Sequence, residues 1–362
     1  MKYIDEFRNQ KLVQEVAQEI KRIELKGRTI NLMEVCGTHT QGFFRFGLKG
    51  LIPRNIQLLS GPGCPVCVSS QDYMDSAIEL AGEREVIITT FGDMLRVPGN
   101  ESSLEKERAN GADVRVVYST LDALRTAREN LKKKVVFLGV GFETTSPTIA
   151  LAILQAKKEG MKNFSVLVSH KLIIPAMKVI AQDPQLNIQG FLCPGHVSTI
   201  IGSKPYEIIA RDYHLPCVIA GFEPLDILEG IYLLVRQIVK AKPRVQIQYK
   251  RVVTANGNPQ AKAILSEVFE VCDSNWRGIG VIPKSGLKIR ARYSQFDAQQ
   301  VFKLKSRPHQ ETKGCICGLV LKGVKNPLDC RNFARVCTPE NPLGPCMVAS
   351  EGTCSTYYKY RT

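Results

Sequence analysis

The stretch KKVVFLGVGFETTSPTIALAILQAKK, residues 133–158, carries the alternation on which the fold is read. Its run of β-branched, aromatic and aliphatic residues suits a strand covered on both faces. Gly139 and Gly141 then turn the chain. Ser146 followed by Pro147 opens a helix, because proline has no N–H to lose in a first helical turn. The same rhythm extends to either side. TINLMEV (29–35), REVIITT (84–90), ADVRVVYS (112–119), NFSVLVS (163–169), NIQGFLC (187–193) and HLPCVIAG (214–221) are further candidate strands. Ser69 or Ser70 precedes one helical segment and Thr120 another, each a residue type that caps a helix. Residues 10–26 place Leu12, Val13, Val16, Ile20 and Ile23 on one helical face, as a covering helix does. Residues 244–254 and 286–293 look strand-like, with a helix expected at 259–271.

This βαβ succession predicts an α/β fold of two related parallel-sheet lobes facing a cleft. Cys36-Gly37-Thr38-His39 and Cys193-Pro194-Gly195-His196 echo each other at strand ends, which suggests the relation between lobes. The expected division is 1–130, 131–240 and 241–362. The last part ends in a Cys-, Pro- and Gly-rich segment, expected to be an iron–sulfur cluster domain.

Composition narrows the function. The 362 residues are 44% apolar and 23% charged, enough for several packed cores. No run of eighteen apolar residues occurs, so no membrane-spanning helix is expected. The charged N-terminus lacks a secretory h-region, which makes the cytoplasm the expected compartment. Lys and Arg exceed Asp and Glu by 49 minus 34, a net charge of +15. The basic residues are scattered and form no nucleic-acid motif, so a basic face for an acidic partner protein is expected instead.

Twelve cysteines in a reducing compartment point to metal or redox chemistry rather than a standing disulfide framework. Six of them, Cys315, Cys317, Cys330, Cys337, Cys346 and Cys354, lie in the last forty-eight residues. Only one close pair occurs there, as C-x-C. Structural zinc favours close C-x-x-C pairs, whereas loosely spaced thiolates on a loop-rich segment suit a [4Fe-4S] cluster, with zinc the alternative. Four ligands leave two thiols for another task.

Three further motifs sit where chemistry is expected. In GPGCPVC (61–67), Cys64 and Cys67 stand within disulfide reach before a capped helix, which suits redox use; half of a zinc site is the alternative. In EVCGTHT (34–40), Cys36 at a strand end is a candidate iron-binding thiol, with His39 to tune it. GVGFETT (139–145) and PGHVS (194–198) supply Glu143 and His196 as candidate cleft-lining acid, base or hydrogen-bonding groups.

The C-terminal segment resembles ferredoxin–thioredoxin reductase in its C-x-C start and wide spacings. That resemblance implies Cys315, Cys330, Cys337 and Cys354 as cluster ligands and Cys317 and Cys346 as a redox pair, with 315 and 317, or 346 and 354, exchangeable. A stand-alone disulfide reductase is the competing function. Over nearly the whole chain, EVCGTHT, GPGCPVC, GVGFETTSP, PGHVS, CICG and CTPENPLGPCMVASEGTCSTYYKY resemble the HypD family. The resemblance implies a scaffold for [NiFe]-hydrogenase maturation that holds iron at Cys36 while carbon monoxide and cyanide are attached. A small HypC-like partner, a HypE-like cyanide donor and, indirectly, the hydrogenase large subunit are the implied partners. Cys64 and Cys67 would receive electrons from the cluster through Cys317 and Cys346.

Overall fold

The computed structural model describes residues 2, 4–304 and 314–360. Eleven strands are found among them: β1 (Ile30–Glu34), β2 (Ile56–Ser60), β3 (Val86–Thr90), β4 (Val114–Val116), β5 (Lys134–Gly141), β6 (Phe164–His170), β7 (Gly190–Pro194), β8 (Cys217–Ala220), β9 (Val245–Ile247), β10 (Phe269–Trp276) and β11 (Gly280–Ile289). All seven segments first read as strands contain one. β2 was not foreseen: its burial is patchy and it lies at a sheet edge, so its pattern lacks a clean apolar face.

Among the described residues, two sheets are wholly parallel and stand beside a two-stranded antiparallel one. The first has the order β2-β1-β7-β8-β9 and the second β4-β3-β5-β6. Two α/β lobes are therefore present, but they do not divide at residue 130. The chain builds β1 and β2, crosses to make β3 through β6, and returns to add β7 through β9 to the first sheet. Nor does the third part begin cleanly at 241. β9 extends the first sheet, whereas the antiparallel β10–β11 hairpin packs on the second, where Phe269 and Ile289 share a core with Phe137 and Val166. The helix after Pro259 ends at Val268, shorter than expected, because Phe269 already pairs with Ile289.

The echo between the two C-x-x-H motifs also has a different meaning. β1 and β7 are neighbours in one sheet, with Leu32 opposite Gly190 and Glu34 opposite Leu192. The motifs end adjacent strands rather than matching positions of two lobes.

Ser70 is the N-cap of helix Gln71–Ala81 as expected, but the cap expected at Thr120 lies one residue earlier. Helix Thr120–Glu129 is capped by Ser119, which forms a reciprocal capping box with Asp122. The N-terminal helix Gln10–Arg22 buries Val13, Ala17 and Ile20 but leaves Leu12 largely exposed, since Leu12 is turned about 100° from Val13. Among the described residues, no helix is long and apolar enough to cross a membrane.

Candidate functional site

In open parallel sheets, the strand order reverses where one strand's crossover goes left and the next goes right, and ligands gather there at the carboxyl ends. In the first sheet that point lies between β1 and β7. Cys36 follows β1 and caps the helix Gly37–Arg45; His196 follows β7. Their side chains meet, with both imidazole nitrogens 3.9 Å from Cys36 Sγ.

His39, the imidazole expected to tune Cys36, lies elsewhere. The helix that begins after Cys36 carries it inward, where its Nε2 donates to the Gly221 carbonyl at 2.9 Å. Its Nδ1 has no hydrogen-bond partner among the described residues, and its ring stacks 4.8 Å from Phe222. Burial lowers its pKa to about 4, as burial also does for His196. Phe222 lies 5.1 Å from the His196 ring and so stands between the two imidazoles' environments.

The electrostatics of Cys36 run opposite to an activated thiol. Burial and the nearby Glu351 carboxylate push it up to about 12, against opposing hydrogen bonds from Thr38 and the His39 backbone. Thr38 Oγ1 donates to Glu351 Oε1 at 2.5 Å. Glu351 comes from the Cys-rich segment, and its approach requires Gly37: a Cβ there would fall on the Glu351 carbonyl oxygen. Two residues before Cys36, Glu34 accepts from Thr40 Oγ1 at 2.6 Å, and burial raises its pKa to about 8.

The GPGCPVC turn is seated against the backbone of the same residue. A Cβ on Gly63 would overlap the Val35 carbonyl carbon and the Cys36 nitrogen, so only glycine lets the turn approach. Beyond it, Cys64 caps the short helix Pro65–Val68, with its sulfur accepting from the Cys67 N–H at 3.2 Å. Cys64 and Cys67 are disulfide-bonded, their Cα atoms 5.2 Å apart. Both are buried.

A cavity of about 470 Å³ opens beside this turn. Its walls are Cys64 and Pro65, the strand-end residues Phe91 to Met94 and Val116 to Tyr118 of the second sheet, and Glu351. The carboxyl ends of both sheets thus border one space. Glu143 is not on its wall. It is buried in the turn after β5, where Oε1 accepts from Ile173 N–H at 3.1 Å and Oε2 has no partner among the described residues; burial raises its pKa to about 7.

The segment 314–360 ties the lobes together. Arg96 donates to the Pro339 carbonyl at 2.8 Å, and Ser350 donates to Asp93 at 3.3 Å. Within it, Cys317 Sγ and Cys346 Sγ are 2.8 Å apart and both are buried, so the two thiols expected to form a redox pair are brought together. Helix Pro345–Val348, which carries Cys346, packs on helix Pro65–Val68, which carries Cys67.

The four remaining thiols, Cys315, Cys330, Cys337 and Cys354, share a neighbourhood without a ready ligand geometry. Gly344 would place a Cβ 3.0 Å from Cys315 Sγ, and the adjacent Leu343 N–H donates to Cys337 Sγ at 3.4 Å. Burial raises Cys354, and the charges of Cys317, Cys315, Cys337 and Cys330 add to it. Among the described residues, no three His, Cys, Asp or Glu side chains are gathered as a metal would hold them. The donor chemistry nevertheless fits an iron–sulfur cluster: four soft sulfurs on a loop-rich segment, with a backbone N–H directed at one of them. Cys193, Cys217 and Cys272 lie outside these groups; the first two are fully buried in β7 and β8.

Thr38, Phe222 and Glu351 are the site residues that sequence reasoning missed. Glu351 sits in a Gly- and Cys-rich tract with no local signal of contact 313 residues away.

A cysteine at the switch point of a parallel sheet, with a C-x-x-C turn packed on its backbone and a Cys-rich segment against it, defines a thiol-centred α/β protein. The HypD family model, described as the hydrogenase formation hypA family, matches residues 11–361, and the chain belongs to the HypD family. The hydrogenase maturation factor HypD of Cupriavidus necator is 47% identical over 368 residues, covering 99% of this chain and 97% of that protein. The hydrogenase expression/formation protein HupD of Azotobacter chroococcum is 48% identical over 367 residues, with 99% and 97% covered. The Escherichia coli K12 factor HypD is 43% identical over 367 residues, with 100% and 98% covered. Family membership supports a role in hydrogenase maturation.

Proposed function

We propose that this protein is a maturation scaffold that holds an iron atom, as cargo, at Cys36 while cyanide and carbon monoxide are attached to it. A small HypC-like partner supplies a second thiolate, and a HypE-like protein supplies cyanide; the completed fragment passes on to the hydrogenase large subunit. The observation that carries this reading is the meeting of Cys36, His196 and the GPGCPVC turn at the switch point. A buried thiol pushed up to about 12 stays protonated at neutral pH unless a cation compensates it. Iron supplies that compensation and displaces the thiol proton, with the neutral His196 ring 3.9 Å away as a hydrogen-bonding neighbour. One protein thiolate holds iron weakly, which is why a partner ligand is needed.

Cys315, Cys330, Cys337 and Cys354 are the residues that would hold a [4Fe-4S] cluster, which when bound supplies electrons one at a time. Cys317 and Cys346 then serve the Cys64–Cys67 disulfide. A thiolate of the first pair attacks that disulfide, forming a mixed disulfide and releasing one thiolate. The second thiol of the pair closes Cys317–Cys346 and releases the other. Two electrons and two protons pass from one pair to the other, so the exchange balances.

The test is anaerobic purification of the tagged full-length protein from cells making hydrogenase. The expected preparation contains iron in excess of sulfide by the one cargo atom, a small copurifying partner, and infrared bands of metal-bound cyanide and carbon monoxide. Zinc in place of iron, or thioredoxin reduction without any partner, contradicts the scaffold reading.

A further inference from the structure

A second cavity, of about 240 Å³, lies at the β6 edge of the second sheet. The end of β6, the start of helix Gln71–Ala81 and the β10–β11 hairpin wall it. None of the residues assigned to iron, cluster or relay lines it. A water molecule's share of liquid volume is about 30 Å³, so the space takes a ligand of roughly eight non-hydrogen atoms.

Its wall carries a buried charge without a counter-ion. Lys171, the residue after β6, is 2% exposed, and its Nζ donates to Ser274 Oγ at 2.5 Å and to the Asn275 carbonyl at 2.9 Å. Both acceptors are neutral, and an ammonium has three N–H groups to place. Among the described residues Lys171 forms no ion pair, whereas Lys288 on the same wall pairs with Glu270. Burial lowers the Lys171 pKa to about 8, while the charges of Asp72 and then Cys272 favour the ammonium, so it is charged at neutral pH. A buried ammonium without an anion is costly, and an anion brought into the cavity offsets that cost.

Asp72 lines the cavity as well, and acts on Lys171 without pairing with it. Its carboxylate accepts from Asn275 Nδ2 at 3.4 Å, a long bond. The other carboxylates of the wall are held by backbone: Asp273 accepts from Lys284 N–H at 2.9 Å and Asp297 from Gln299 N–H at 3.0 Å. His170 is a further lining residue, 1% exposed, and neither of its ring nitrogens has a partner among the described residues. Burial, with Lys171 beside it, lowers its pKa to about 3, so the ring is neutral and has one donor and one acceptor to offer.

We propose that this cavity binds a small polar α-amino acid as its zwitterion, the carboxylate on Lys171, the ammonium on Asp72 and the His170 ring as a further hydrogen-bonding partner. Opposite charges that share a cavity without touching are bridged by a ligand that carries both. A phosphate would answer Lys171 but meet three carboxylates on the same wall, and a simple carboxylate would leave Asp72 unanswered.

The experiment uses full-length protein kept anaerobic, with Cys272 as the reporter, because it is half-buried and lines the cavity. Alkylation followed by mass mapping reads its rate separately from those of the other cysteines. The probes are L-alanine, L-serine, L-threonine, L-asparagine and L-glutamine, with propionate and ethylamine as the two halves of alanine. At least one amino acid should protect Cys272 saturably, slowing its alkylation about tenfold at ten times its Kd, where roughly one site in eleven stays free. Propionate and ethylamine should not protect. K171M, which keeps the stem and removes the charge, should abolish protection, and D72N should weaken it. Absence of protection by every amino acid overturns the proposal. So does equal protection by propionate, which marks a site for carboxylates in general, and so does undiminished protection in folded K171M. If K171M does not fold, D72N decides: weakened protection supports the zwitterion, and unchanged protection overturns it.

Discussion

The two thiol pairs are built by opposite means. Cys64 and Cys67 are three residues apart, and a single helical turn with a proline at its start brings their sulfurs together. Cys317 and Cys346 are 29 residues apart, and meet only because helix Cys317–Leu321 and helix Pro345–Val348 are both held against the lobes. The first pair depends on local geometry and the second on tertiary structure. The second should therefore be lost first when packing fails.

Substitutions in the packing around the local pair give the largest expected effects. Gly63→Ala forces the GPGCPVC turn off the backbone of Val35 and Cys36, where neither side can give way. A loss of at least about 3 kcal/mol is expected by denaturant titration, together with faster alkylation of Cys36. Near-wild-type stability would mean that the turn is not seated on Cys36.

Cys337→Ala comes next, and should separate the regions. Residues 314–360 contain few regular elements, the longest helix being Thr353–Tyr360, so their order rests on their thiols and their lobe contacts. The variant should lose iron-dependent visible absorption and become protease-sensitive in this segment. The Cys64–Cys67 disulfide should persist in the same sample. Full iron content with intact resistance would remove Cys337 from the ligand set.

The smallest effect concerns pH and the lobes alone. Glu143 is buried with its pKa raised to about 7, so between its ordinary carboxyl range and that value the folded protein binds more protons than the unfolded chain. Its contribution is fully present at pH below the unfolded value and is lost as pH rises through about 7. Glu143→Gln should flatten that part of the stability profile and stabilise the protein at pH 8 by on the order of 2 kcal/mol. An unchanged slope would show that this carboxyl does not control it.

The same contrast explains what could be read from the chain. Strands such as β5 and β6 are buried on both faces, so their apolar runs are unmistakable, whereas edge strand β2 mixes exposures and escaped notice. C-x-x-C spacing made one pair legible from local geometry. The pairing of Cys317 with Cys346 came only through family resemblance, because nothing in their spacing specifies a contact. The partner of Cys36 was misjudged for the same reason. His39 is close in sequence, but a helix beginning at Gly37 turns it toward Gly221, while the parallel pairing of β1 with β7 delivers His196 from 160 residues away. Sheet order also decided the division of the lobes, and a βαβ rhythm does not reveal which strands return to an earlier sheet.

Whether Cys36 is the iron-holding thiol is decided by infrared spectroscopy of the partner complex carrying Cys36→Ala. Cys36 belongs to the first lobe, and the thiols proposed to hold the cluster belong to 314–360. The expected result is therefore a folded complex that keeps its iron–sulfur absorption but has no cyanide or carbon monoxide bands and does not mature hydrogenase. Bands of wild-type intensity in that folded complex would rule out Cys36 and move the iron to Cys64 or Cys67.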